Sequence, residues 1–238
     1  MGERRRRPSL HWQAGLLRPL LPAWSMAMIV IALVAMGEGR QVDRLLLDAN
    51  DTDGATWYTG LVTYVGVLGW AAAVCAAWWA AWWCRLGDRR SASRFLGWGG
   101  VLGAYLMADD LLQLHAVLLP ELGVPKRAVE TAIVVATVVW VSTFWRELAR
   151  TRWPLLVASG AALGASILFD AHPVAAGVGG LLFEDGAKLL GIFAWAAYFV
   201  ATGADISRSV LRDAATSDTS CFVAGTRPES GRVPATKG

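Results

Sequence analysis

Six apolar runs, at about residues 20–37, 57–84, 95–119, 128–146, 154–170 and 177–203, alternate with short polar segments along this chain. Each approaches the roughly 20 residues that an α-helix needs to cross the hydrocarbon core of a bilayer. Backbone polar groups in lipid must bond within their own segment. The pattern therefore predicts an all-α, polytopic membrane helix bundle of about six transmembrane helices. It divides the chain into a basic N-terminus (1–22), a six-helix transmembrane domain (23–204) and a tail (205–238). From about Ser217 the tail holds Ser, Thr, Gly and Pro with mixed charge, and reads as mostly disordered.

Composition agrees with a membrane protein. The chain is 55% hydrophobic and only 17% charged, against roughly 25% for a soluble domain, and its mean hydropathy is +0.42. Arg4–Arg7 resemble the n-region of a signal peptide, but no clear small-residue cleavage site follows Ala23–Gly37, so a retained signal anchor is expected. The net charge of +3 lies largely in loops and tails. Of the basic residues there, 17 fall on the N-terminal side, and only Arg40, Arg44, Lys126 and Arg127 fall on the other. That asymmetry places both termini in the cytoplasm and the chain in the cell membrane as a multi-pass protein. Arginine outnumbers lysine 19 to 3 in an Ala- and Gly-rich chain. This suggests a GC-rich bacterial genome, and hence a bacterial inner membrane. No aromatic-interleaved basic patch points to nucleic acid. Cys75, Cys84 and Cys221 have neither zinc-type spacing nor a disulfide framework.

Smaller features fit a packed bundle. Trp78-Trp79 and Trp82-Trp83, just before Arg85, suit an aromatic belt. Gly99-x-x-x-Gly103 and Gly160-x-x-x-Gly164 would let helices approach closely. Val42 to Ala49 would lie amphipathically at the interface. The acidic turn Asp48 to Gly54 is not an EF-hand, because aligning Gly54 puts Ala49 at the first ligand position and Gly60 at the twelfth.

The candidate chemistry lies inside the third and sixth runs. A charged side chain near mid-bilayer costs roughly 2.5–3.5 kcal/mol on insertion scales, so such residues need partners, protons or water. Glu184, Asp185 and Lys188 share one helical arc, and Asp109, Asp110 and Gln113 share another. The third run goes outward and the sixth inward, so the arcs lie at matching depth and are expected to face each other. Four carboxylates against Lys188 leave an excess of negative charge. The pocket must therefore hold protons, bind a cation, or draw in an arginine, and Arg40, Arg44 and Arg127 stand too shallow for that. These six residues form a candidate ion- or proton-binding site open toward the outer side.

His115 stands about 240° from Asp109 and 140° from Asp110 on an ideal helix, so it cannot share an ion with them there. It would instead meet groups nearer the surface: Asp170 and His172 after the fifth run, Glu130 at the start of the fourth, or Glu121. His115, Asp170, His172 and Glu130 form a second candidate set, suited to a divalent metal. The cofactor this implies is a divalent metal or another cation.

Asp109-Asp-x-x-x-x-His115 with Glu184-Asp-Gly-x-Lys-Leu-x-Gly191 resembles a pattern in uncharacterised small polytopic bacterial membrane proteins. Ala116 stands where that pattern carries an acid after the histidine. The resemblance covers two helices and implies no activity. Asp185-x-x-Lys188 is similar to the Asp-x-x-x-Lys of microbial rhodopsins, whose lysine carries retinal; here the spacing is one residue short, and six spans replace seven. The alkaline-ceramidase-like hydrolases bind zinc through one Asp and three His, whereas this chain has only His11, His115 and His172.

The leading functional expectation is proton- or cation-coupled transport or conduction through the carboxylate–lysine cluster. The alternatives are a metal-dependent membrane hydrolase or transferase acting on a lipid head group, and a non-catalytic assembly or accessory protein whose polar groups fix helix packing. Neither Gly-x-Ser-x-Gly, a Walker loop nor His-Glu-x-x-His occurs. The partners expected are the lipid bilayer and a second copy of the chain, should the arcs meet across two subunits.

Overall fold

The computed structural model describes residues 15–37, 40–46, 58–171 and 178–225. Every element among them is helical. We label the helices α1 (Leu20–Ala35), α2 (Arg40–Leu46), α3 (Leu61–Leu86), α4 (Arg90–Leu112), α5 (Lys126–Thr143), α6 (Trp145–Leu148), α7 (Trp153–Ala171) and α8 (Val178–Gly225). A π turn (Leu114–Leu118) and one short turn of helix (Leu119–Glu121) join α4 to α5.

Among the described residues three helices, α3, α7 and α8, are long and apolar enough to cross a membrane, and α4 with its bent extension is a fourth if the pair counts as one span. The first expected span, α1, has only 16 residues, or about 24 Å at 1.5 Å per residue. The fourth, α5, has 18 residues but opens with Lys126, Arg127 and Glu130, which shortens its apolar part. At the other end of the chain α8 continues as helix to Gly225 rather than stopping near 203, so the stretch from Ser217 to Gly225 is helical where the composition suggested disorder. Residues 226–238, the basic start of the chain, His11 and the acidic turn Asp48 to Gly54 lie outside the described residues.

The bundle is organised on α8, which packs against α7, α3 and α1, while α3 also packs on α4. A tight turn with Asp88 at φ 52° makes the α3–α4 hairpin, and Ser93 Oγ donates to the Ala81 carbonyl at 2.9 Å across it. The core is aromatic. Phe95 and Trp140 stack with centroids 5.1 Å apart, and the Trp140 indole donates to the Phe95 carbonyl at 3.1 Å. Trp195, Tyr198 and Phe199 complete it from α8.

Of the two expected small-residue motifs, only one brings helices together. A methyl on Gly99 would come within 2.7 Å of Phe199 and 2.9 Å of Trp140, so this glycine is what lets α4 seat against both. Gly160 and Gly164 have no atom within 4 Å of where a Cβ would be. On α7 the close contact is made from the other side, by Gly191 of α8 against Leu163, with Ser159 Oγ donating to the Gly191 carbonyl at 2.8 Å. The amphipathic segment after α1 becomes α2, whose Val42 and Leu46 pack with Val34 and Val62. Of the expected belt, Trp79 and Trp82 face outward on α3, each more than 60% exposed, whereas Trp78 packs over Gly100 of α4 and Trp83 is half-buried.

Candidate functional site

The chain leaves α4 through a break. Gln113 adopts left-handed backbone angles (φ 51°, ψ 43°), and the helix axis turns by 66° before Leu114–Glu121. Beyond the break, Pro120 has no N–H to offer residue 116, and its ring crowds that carbonyl. The turn preceding it widens to a π turn, a common local answer to such a conflict. Gly123, at φ 86°, and Pro125 then redirect the chain into α5.

The break returns His115 to Asp109. Its ring Nδ1 lies 2.7 Å from Asp109 Oδ2, and its backbone N–H donates to Oδ1 at 2.9 Å. The ideal-helix separation of 240° does not apply, because the two residues lie on either side of the bend. Asp109 is only 5% exposed, so this is the anchor of a buried carboxylate.

Asp110 turns the other way. Lys188 Nζ lies 2.8 Å from Asp110 Oδ1, and the Trp70 indole of α3 donates to Oδ2 at 2.7 Å. Three helices thus converge on one carboxylate, both of whose oxygens are bonded. A charge-assisted pair of this kind is the stronger class of hydrogen bond. The two polar arcs meet, though through Asp110 rather than Asp109.

Glu184, one turn before Lys188 on the same face, accepts no hydrogen bond from a described residue and feels the charges of Asp170, Lys126, Lys188 and His115. Lys126, at the start of α5, reaches α7: its Nζ lies 2.7 Å from Asp170 Oδ2 and 3.9 Å from Glu130 Oε1.

These groups line one end of a cavity of about 450 Å³ between α4, α5, α7 and α8. Asp109, Asp110, His115, Lys126, Glu130, Asp170, Glu184 and Lys188 are its charged lining. Deeper along the same helices the wall is apolar, with Ile133, Val134, Val138, Leu156, Leu163 and Ile167, and the indoles of Trp140 and Trp195, while Trp70 of α3 joins the lining beside Asp110. Gly160 and Gly164 line it too. Their missing side chains create space rather than helix contact.

Two expected members stand elsewhere. Asp185 is half-buried but does not line the cavity. It shares the α8 stripe of Leu189 and Ile192, which faces α3 where Ile192 meets Gly66 and Gly69. Gln113 is buried at the helix break and does not line the cavity either. The second set does not assemble among the described residues. His115 is taken by Asp109, Asp170 and Glu130 face Lys126, and His172 lies outside the described residues. No three His, Cys, Asp or Glu among the described residues form a group able to hold a metal.

Sequence reasoning missed Lys126 and Trp70. Each had a signal. Lys126 is one of three lysines and follows Pro125 at the head of an apolar run. Trp70 lies mid-run, away from the interfacial tryptophans, where a buried indole N–H needs an acceptor.

The family described as Domain of unknown function (DUF8692) matches residues 23–202. No curated protein and no solved structure matches the chain.

Proposed function

The chain belongs to that family, and from this premise we propose that it is a six-span membrane protein whose charged cavity binds and relays a proton or cation in coupled transport or conduction. Both termini are cytoplasmic in this reading, and the charged end of the cavity opens toward the outer side. The carrying observation is the Asp110–Lys188 ion pair between α4 and α8, 2.8 Å long, at the head of the cavity beside Glu184. Structural glue explains less: interhelical hydrogen bonds contribute only about 0.6–2 kcal/mol each, and here eight ionisable groups gather around open space. Ionisable residues within a membrane bundle mark ion paths and proton relays more often than packing devices.

Glu184 is the group best placed to exchange a proton with the cavity, since it accepts no hydrogen bond from a described residue. Asp110 follows if Lys188 swings away. The test is a reconstituted one. Proteoliposomes with a trapped pH dye should show acidification under an imposed proton gradient, and Glu184→Gln and Asp110→Asn should bring it down to the level of empty vesicles. Flux unchanged in both variants, with folded protein, would remove the reading.

A further inference from the structure

The geometry points to an organic cation with a bulky apolar body as the ligand of this cavity. The inference rests on the reading of the cavity as a proton- or cation-handling site and names its substrate class. Three observations support it.

The first is charge. The lining holds five carboxylates against two lysines and one histidine, so negative charge remains in excess even with His115 protonated. The excess is not spread evenly. Asp110 has Lys188, Asp170 has Lys126 and Asp109 has His115, while Glu130 shares Lys126 at 3.9 Å and Glu184 has no hydrogen-bond donor among the described residues. A cation seated beside Glu184 would balance the carboxylate that no donor among the described residues meets.

The second is shape. From Lys126 to Val141 the cavity follows sixteen residues of α5, or about 22 Å of helix. A small inorganic ion would occupy only its mouth. The space deeper in is kept open by Gly160 and Gly164, at neither of which would a Cβ meet another atom.

The third is the wall. Below the charged end it is mainly aliphatic, with Ile133, Val134, Val138, Leu156, Leu163 and Ile167, backed by the buried rings of Trp140 and Trp195. Apolar walls of this kind take up the body of a ligand. An anionic amphiphile would fit the walls but meet the wrong charge at the mouth. A neutral lipid tail would fit the walls and leave the carboxylates uncompensated.

The experiment compares two ions of the same shape and opposite charge, tetraphenylphosphonium and tetraphenylborate. Each is dialysed to equilibrium against the full chain in dodecyl maltoside, with empty micelles as the blank. We expect saturable binding of the phosphonium at a single site and none of the borate. Glu184→Gln should weaken it by roughly tenfold or more, equivalent to about 1.4 kcal/mol. Gly164→Leu, which fills the apolar end without touching a charge, should weaken it comparably. Equal uptake of both ions, uptake at the level of the blank, or saturable binding that neither variant alters would overturn the inference. The same preparations are assayed for proton flux. Flux without phosphonium binding keeps the transport reading and removes this one. Phosphonium binding without flux removes transport and keeps the ligand class.

Discussion

His115 bonds Asp109 twice, through its ring at 2.7 Å and its backbone N–H at 2.9 Å, across a bend that separates them by six residues of chain. One carboxylate thus satisfies a donor left over by the broken helix and also fixes the imidazole. Asp109→Ala should remove both bonds and leave that backbone donor without its acceptor, at a cost of about 1–3 kcal/mol. Asp109→Asn, whose carbonyl oxygen can still accept from the backbone, should cost less. Unfolding in a denaturing-detergent titration would separate the two. Equal stability of Asp109→Ala and the parent would show that the bend does not depend on this contact.

The Asp110–Lys188 pair predicts a non-additive response. The Asp110 side chain is 8% exposed and that of Lys188 34%, so the carboxylate suffers more from losing its partner. Lys188→Met should destabilise by up to about 3–5 kcal/mol, the range for stranding a buried charge. Adding Asp110→Asn in the same chain should recover much of the loss. Trp70→Phe should cost about 1.5–3 kcal/mol, as expected for a hydrogen bond to a charged group. The check is the double-mutant cycle, in which additive losses would mean that the two groups do not interact appreciably.

How much of this was legible in the sequence depends on what kind of information was needed. Apolar run length anticipated a helix for each of the six runs, because burial in lipid or protein requires it whatever the tertiary detail, but it did not anticipate that α8 continues past the apolar run to Gly225. Matching depth and angle anticipated that the arcs of α4 and α8 would meet. The bend was not anticipated, because the angles assumed a straight helix through Gln113. The one breaker nearby, Pro120, acts one turn earlier at residue 116 and opens the short helix beyond the bend, so the sequence did not mark Gln113 itself. Gln113 was misplaced because it is itself the residue at which the helix breaks. Asp185 was misplaced because it stands at one edge of a helical arc 100° wide, where a residue can face either of two neighbours. The glycines show the same limit: Gly99 and Gly160 stand in identical motifs, and only the tertiary neighbours decide which one is pressed against a helix.

Those two glycines therefore predict opposite outcomes for the same substitution. Gly99→Ala puts a methyl into the rings of Phe199 and Trp140, and overpacking of this kind costs about 1–3 kcal/mol. Gly160→Ala meets nothing within 4 Å and gains helix propensity, about 0.8–1.0 kcal/mol in an exposed helix interior. Thermal stability of the two variants in one detergent should fall for the first and hold or rise for the second. A loss in both would mean that α7 is packed more tightly than the geometry indicates.

Lys126 makes the sharpest functional prediction, because it stands at the mouth of the cavity and not at its base. Its ammonium faces Asp170 at 2.7 Å and Glu130 at 3.9 Å, and its side chain is 40% exposed. A pair this exposed contributes little to stability, on the order of 0–1 kcal/mol, so Lys126→Met should fold normally. The substitution raises the negative charge of the entrance by one unit and leaves the Asp110–Lys188 pair intact. Cations approaching the mouth should then be drawn in faster, and Coulombic steering of this kind depends on salt. With the Debye length falling from about 30 Å at 0.01 M to about 8 Å at 0.15 M, the gain should be largest in dilute buffer and fade on adding salt. Initial rates of cation or proton entry into proteoliposomes, measured across that range, are the check. A rate lowered by Lys126→Met at every ionic strength would instead give Lys126 a direct part in the relay, handing protons between Asp170 and Glu184.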